Sequence, residues 1–370
     1  MRRRWPQVPA RQWNDWRWQL AHQVRGASEL DRFVHLTQDE RLACSEKDPA
    51  FGWAISPYYA SLIDPDDPTD PVRRQAIATG AELVPHPEES ADPLAEDEHS
   101  PVKAITHRYP DRAVLYATGT CAMYCRHCNR RRKVGSPASS PSGAELKAAL
   151  TYLRAHSEIR DVIVSGGDPL SLPDARLIAL LSDLRAVPHL EIVRIATRYP
   201  ATLPQRITGT LASRLRALAP LYVNTQFNHL KECTPEAARA LDRLADAGCV
   251  LGNQMVLLRG INEDPQMVKA MNRWLLLHRC RPYYIFQCDP ALGTAHFRTP
   301  IESGLEILRA LIGWTSGLAV PHYVVDLPGG GGKVPLVPEY LISHQGHSWM
   351  FRNYAGRQFT YVEGAPAKRR

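Results

Sequence analysis

The sequence predicts an α/β fold built on a parallel sheet, either doubly wound or closed into a full or partial barrel. From about residue 112 onward, short β-rich apolar runs alternate with amphipathic helical stretches every few tens of residues. Strand-then-helix repetition of this kind builds parallel sheets with right-handed crossovers. Helix-start signals fall between the runs. Ser142 with Glu145 makes a capping-box pattern, and Thr234-Pro235 puts a cap and a first-turn proline before a helix that stops at Gly248. A chain of 370 residues, 44% hydrophobic and 22% charged, can bury a large core, and its composition excludes disorder and collagen-like repetition.

In chain order, residues 1–100 form an extension rich in Trp, Pro and acidic residues, with a helical pattern at 13–24 and an acidic, proline-rich linker at 64–71. Residues 101–335 form the core. Its expected strands are 113–116, 161–165, 190–196, 221–226, 250–258, 282–287 and 322–326. Residues 336–370 are a short C-terminal extension. No apolar stretch follows the basic start as a secretion signal would require. The most apolar long window, 307–325, holds Arg309, Gly313, Ser316, Gly317 and Pro321, so no membrane span is expected. Eight cysteines without a secretion signal point to a reducing compartment, and we expect a cytoplasmic protein. The formal charge is 45 − 38 = +7. Its surplus sits at Arg130 to Lys133 and at both ends, Arg2 to Arg4 and Lys368 to Arg370, which read as solvated tails. No nucleic-acid motif accompanies it, and no such partner is expected.

In a barrel, reactive side chains gather where the strands end. Reading just past the expected strands yields Cys121-Cys125-Cys128, Gly166-Gly167-Asp168, Arg198, Asn228-His229, Asp289, and Asp326 followed by Gly329 to Lys333. The strongest signal is CAMYCRHC, three cysteines spaced C-x3-C-x2-C on one loop. Three thiolates together want a metal. Structural zinc takes four ligands from two separated pairs, whereas a four-iron cluster held by three thiolates keeps one iron open for another ligand.

This spacing, with an aromatic residue before the third cysteine, resembles the radical S-adenosylmethionine enzymes. The wider match, through WNDWRWQL, THRYPDR, CAMYCRHCNRRR, SGGDPL, GNQMVLLRG, CDPALGTAHFRT and VVDLPGGGGKVPL, resembles the lysine 2,3-aminomutase family from about residue 12 to 360. The resemblance implies a partial (β/α)6 barrel of the TIM type. It makes Cys121, Cys125 and Cys128 ligands of a [4Fe-4S] cluster, and places S-adenosyl-L-methionine at Ser165, Gly166, Gly167 and Asp168. It puts pyridoxal 5′-phosphate on Lys333 as a Schiff base, with Arg108, Tyr109 and Arg112 on the cofactor's phosphate.

The glycine run before Lys333 frees the backbone to approach a ligand, though read by itself it is an ordinary flexible loop. It lacks a Walker pattern, because Val334 and not Ser or Thr follows Lys333. Asp289 and Asp326 fall past strands at the same mouth. Either alone reads as a cap or turn residue; paired, two like charges suit a positively charged substrate end. The resemblance assigns them to the side-chain ammonium of lysine and Arg130 to the substrate carboxylate, leaving Arg131 and Arg132 as helix or surface charge. The implied activity moves the α-amino group of a basic amino acid, L-lysine first, to the β-carbon. Arginine is the nearest alternative substrate, and modification of a lysine on a translation factor is the other reading. The implied partners are a small basic amino acid, an electron donor of the flavodoxin or ferredoxin type, and further copies of the chain. No cysteine follows Cys288, so the structural zinc of longer relatives is not expected, and Cys44, Cys249 and Cys280 read as packing residues.

Overall fold

The computed structural model describes residues 4–45, 52–135 and 137–364. Its centre is a nine-stranded sheet in the order β1 to β9, with strands Ile105–Tyr109, Arg112–Thr118, Asp161–Gly166, Ile192–Ala196, Tyr222–Thr225, Val250–Leu257, Cys280–Gln287, His322–Leu327 and Gly332–Leu336. Strands β2 to β8 are parallel, and six crossovers carry helices. Antiparallel strands β1 and β9 flank them, and the order leaves a seam between the two. Neither edge strand was expected. β1 starts at Ile105 and runs into THRYPDR, and β9 carries Pro335 within a glycine-rich stretch that read as a loop, a composition that edge strands tolerate.

Apolar residues on the strands, among them Val162, Val164, Val193, Ile195, Val223 and Ile285, pack against helix leucines such as Leu153, Leu181, Leu244 and Leu275. Each such side chain taken from water contributes roughly 1.5–3 kcal/mol. The helix starts follow the cap chemistry. Ser142 and Glu145 form the complete capping box of Gly143–Ala155, and Thr234 caps Pro235–Asp246.

The N-terminal segment makes a second core of Trp5, Trp13, Tyr58, Tyr59, Ile63 and Val72. Met123 of the cysteine loop belongs to that core and Cys125 packs on it. Residues 64–71 are not a linker: Asp70 is fully buried and accepts from the backbone N–H groups of Val72 and Arg73, capping Pro71–Ala76. Arg4 is not a solvated tail either, since it donates to the carbonyls of Ala60 and Ile63. Arg2, Arg3 and 368–370 lie outside the described residues. After the barrel, β10 (Leu341–Gln345), β11 (Ser348–Arg352) and β12 (Gln358–Val362) form a separate antiparallel sheet. No described helix is long and apolar enough to cross a membrane.

Candidate active site at the barrel mouth

One cavity of about 360 Å³ opens where the parallel strands end, a size suited to small molecules. Its wall includes Cys121, Cys125 and Cys128 after β2, Ser165 to Asp168 at the end of β3 and just past it, Arg198 after β4, Asp289 after β7, Asp326 at the end of β8 and Lys333 on β9. Arg108, Tyr109, Arg112 and Arg130 line it too. Every residue to which the resemblance gave a role therefore lines one space, whereas Asn228, His229 and the glycines before Lys333 are not part of its wall.

The eight cysteines form no disulfide among the described residues. Burial pushes the Cys121 thiol well up, Asp168 adding to the effect, and raises Cys128 to about 11. Thiols in that condition need a cation to ionise. Among the described residues no three His, Cys, Asp or Glu side chains converge on a single ion. The three thiols, all from one loop, line the cavity; in an iron–sulfur cube each thiolate would meet a different iron.

Gly166 and Gly167 are required by close approach. A Cβ on Gly166, whose φ is +127°, would lie 2.4 Å from the Thr118 carbonyl, and one on Gly167 would lie 2.5 Å from that of Thr120. The backbone N–H groups of Gly167 and Asp168 donate to those same carbonyls at 2.6 and 2.8 Å. The SGGD turn thus clamps the cysteine loop. The Asp168 carboxylate is consumed internally, accepting from Thr197, from the backbone N–H of Arg198 and from that of Leu170. Burial raises it to about 6 despite those donors.

The glycine-flanked lysine meets the arginine-rich hairpin across the seam. The Lys333 backbone N–H donates to the Tyr109 hydroxyl at 3.0 Å, and Arg108 donates to Asp326 Oδ1 at 3.0 Å. Arg112 stacks over the Tyr109 ring at 4.1 Å. The Lys333 ammonium sits 3.0 Å from Asp326 Oδ2 and 5.3 Å from the centre of the Phe286 ring. Asp289 accepts from Asn129 at 2.7 Å. Burial, then the neighbouring Asp326 charge, pushes its carboxyl up to about 6.

The sequence reading missed the acidic side of the site. Arg130 is held by Glu96, Nε to Oε1 at 2.7 Å, and donates to Ser165 at 3.1 Å. Burial, the largest single influence, would lower its pKa, but the charge and hydrogen bond of Glu96 together with Cys128 and Tyr116 outweigh it and raise it. Arg131 is not surface charge: it is buried against Glu82, which also holds Arg126. Arg132 pairs with Asp92 and Asp97, and Lys133 with Glu96 and Asp97. The 130–133 patch is neutralised by the chain itself. One signal could have exposed this, namely the acidic density of 82–98 set against four consecutive bases. Asn228, expected among the reactive groups, instead braces the mouth, donating to Gln75 and accepting from Val256 N–H.

A sequence profile for the radical SAM superfamily matches residues 115–271, and one described as Lysine-2,3-aminomutase matches residues 308–368. Over 354 residues the chain is 47% identical to an L-lysine 2,3-aminomutase of Methanococcus maripaludis, covering 95% of this chain and 82% of the relative. It is 48% identical over 351 residues to that of Clostridium subterminale, covering 95% and 84%. It is also 46% identical over 355 residues to a glutamate 2,3-aminomutase of Clostridioides difficile, covering 96% and 84%. Radical SAM enzymes work with a [4Fe-4S] cluster and S-adenosylmethionine, which accords with three thiols at the mouth of a nearly closed barrel. This chain belongs to the lysine 2,3-aminomutase family of radical SAM enzymes and is an isomerase.

Proposed function

We propose that the protein is a pyridoxal-phosphate-dependent 2,3-aminomutase acting on a basic α-amino acid, L-lysine in the first place. The observation that carries this reading is the ammonium of Lys333 resting on Asp326, with Asp289 beside it. A primary ammonium on a four-carbon stem already occupies the place proposed for the substrate's side chain. Glutamate would bring a third negative charge to two carboxylates, an arrangement that repels.

When bound, the cluster and S-adenosylmethionine supply a 5′-deoxyadenosyl radical, and pyridoxal phosphate supplies a ring that delocalises unpaired spin. Cys121, Cys125 and Cys128 hold the cluster, with the SGGD turn fixing their loop. Lys333 carries the pyridoxal group, and Arg108, Tyr109 and Arg112 at the seam meet its phosphate, a fit for fork-shaped guanidinium donors. Arg130, pinned by Glu96, binds the substrate carboxylate through its Nη groups. Asp289 and Asp326 bind the far ammonium. Fixing both ends of the substrate sets which carbon faces the radical source, so the chain contributes chiefly orientation and exclusion of water.

The test is anaerobic incubation of reconstituted, reduced protein with lysine, arginine, ornithine and glutamate in separate reactions, followed by identification of β-amino products. Lysine should give 3,6-diaminohexanoate. Turnover of glutamate alone would overturn the assignment.

A further inference from the structure

Arg198, just past the end of β4, is only 7% exposed. Its Nη1 donates to Cys125 Sγ at 2.9 Å. Its Nη2 is committed elsewhere, to Gln75 Oε1 at 2.5 Å and Glu232 Oε1 at 2.7 Å. Glu232 is fully buried and held by the Tyr59 hydroxyl and by the backbone N–H groups of Asn228 and His229. The arginine is thus fixed from three directions, and two of the side chains around it, Tyr59 and Gln75, come from the N-terminal segment. Cys128, by contrast, takes a neutral backbone donor from Arg130.

A cationic N–H donor on one thiolate withdraws charge from that sulfur. It stabilises the electron-rich, reduced form of a cluster more than the oxidised form. We propose that Arg198 is a positioning residue that raises the reduction potential of the iron–sulfur cluster through Cys125, with Gln75 and Glu232 holding it in place. The N-terminal segment then takes part in the redox chemistry as well as in packing. This inference rests on the reading of the three cysteines as cluster ligands.

The test is a redox titration of reconstituted wild type, Arg198→Lys, Arg198→Gln and Gln75→Leu, reading the reduced cluster by electron paramagnetic resonance beside the iron content. At a fixed ambient potential, Arg198→Gln should show a reduced-to-oxidised cluster ratio about tenfold lower, which is ~59 mV for a one-electron couple. Arg198→Lys should recover part of that loss, and Gln75→Leu should fall between. Equal potentials in loaded proteins would overturn the inference. So would failure of both Arg198 variants to take up iron, because the arginine would then assemble the cluster and not tune it. A wild-type chain that loads no iron is a separate result, and it removes the cluster reading itself.

Discussion

Lys333 and Asp326 form an ion pair inside the barrel mouth, the ammonium 3.1 and 3.0 Å from the two carboxylate oxygens, while Arg108 approaches the first of these oxygens from the neighbouring edge strand. One carboxylate therefore serves two cations that are expected to have other duties. Under the proposed function, a Lys333 engaged by the pyridoxal group would leave Asp326 to an incoming ammonium.

Competition between the two ammonium groups follows from that pairing. In protein stripped of pyridoxal phosphate, Lys333→Ala should bind L-lysine about tenfold tighter than wild type, because the resident cation no longer blocks Asp326. Isothermal calorimetry decides it; weaker binding by the variant would contradict the competition.

Recognition of the far ammonium should depend on charge at both carboxylates. Asp289→Asn or Asp326→Asn should cost about 2–5 kcal/mol in kcat/KM for lysine, the range for breaking a desolvated ion pair. Turnover of a neutral analogue of the same length should change little. Equal losses with both substrates would dismiss the recognition role.

The pH response follows from Asp289, whose carboxyl is raised to about 6 by burial and by Asp326. Protonation below that value removes half of the ammonium site, so KM for lysine should rise as pH falls from 7 to 5. The stability sign is opposite. A carboxyl raised above its unfolded value favours folding in acid, and that contribution fades as pH rises through about 6. Unliganded Asp289→Asn should therefore gain thermal stability over wild type at pH 7.5 but not at pH 4, by on the order of 2–3 kcal/mol. Melting curves at the two pH values check it.

Glu96 holds Arg130 at the cavity wall through an ion pair. Glu96→Gln keeps the shape but drops the charge, and should weaken every α-amino acid substrate by a similar factor, about 1–2 kcal/mol. Preference among lysine, ornithine and arginine should stay as in wild type. A changed preference in the ratio of kcat/KM values would place Glu96 in side-chain recognition instead.

The clamp formed by Gly167 is testable through iron. An added methyl would fall 2.5 Å from the Thr120 carbonyl and 2.8 Å from its nitrogen, and the cysteine loop must move to admit it. Gly167→Ala should lose about 1–3 kcal/mol of stability and show reduced iron per chain after reconstitution. Gly209→Ala, where nothing lies within 4 Å of the added carbon, is the control.

The parallel strands were legible because each is a short apolar run between helix signals, and the mouth residues were legible because chemistry-bearing types follow those runs. What escaped the sequence reading has a common physical cause. Glu82 and Glu96 act on Arg131 and Arg130 across 49 and 34 positions, and no periodicity announces a pairing at that range. Nor does the sequence show that the Asp168 carboxylate, beyond the N–H of Leu170 in its own turn, takes three donations from Thr197 and Arg198 that tie β3's turn to that of β4. β9 was hidden by glycine and proline, whose strand penalty is waived at an edge that pairs on one side alone.

That edge has a consequence for loading. Eight junctions of the sheet are laced by backbone ladders, but the ninth, from β1 to β9, is spanned by removable contacts such as Arg108 to Asp326 and Lys333 to Tyr109. Under the proposed function, with a bulky aldehyde seated at the Lys333 amine, parting of the staves at this slot would break only those side-chain contacts and unzip no rung elsewhere.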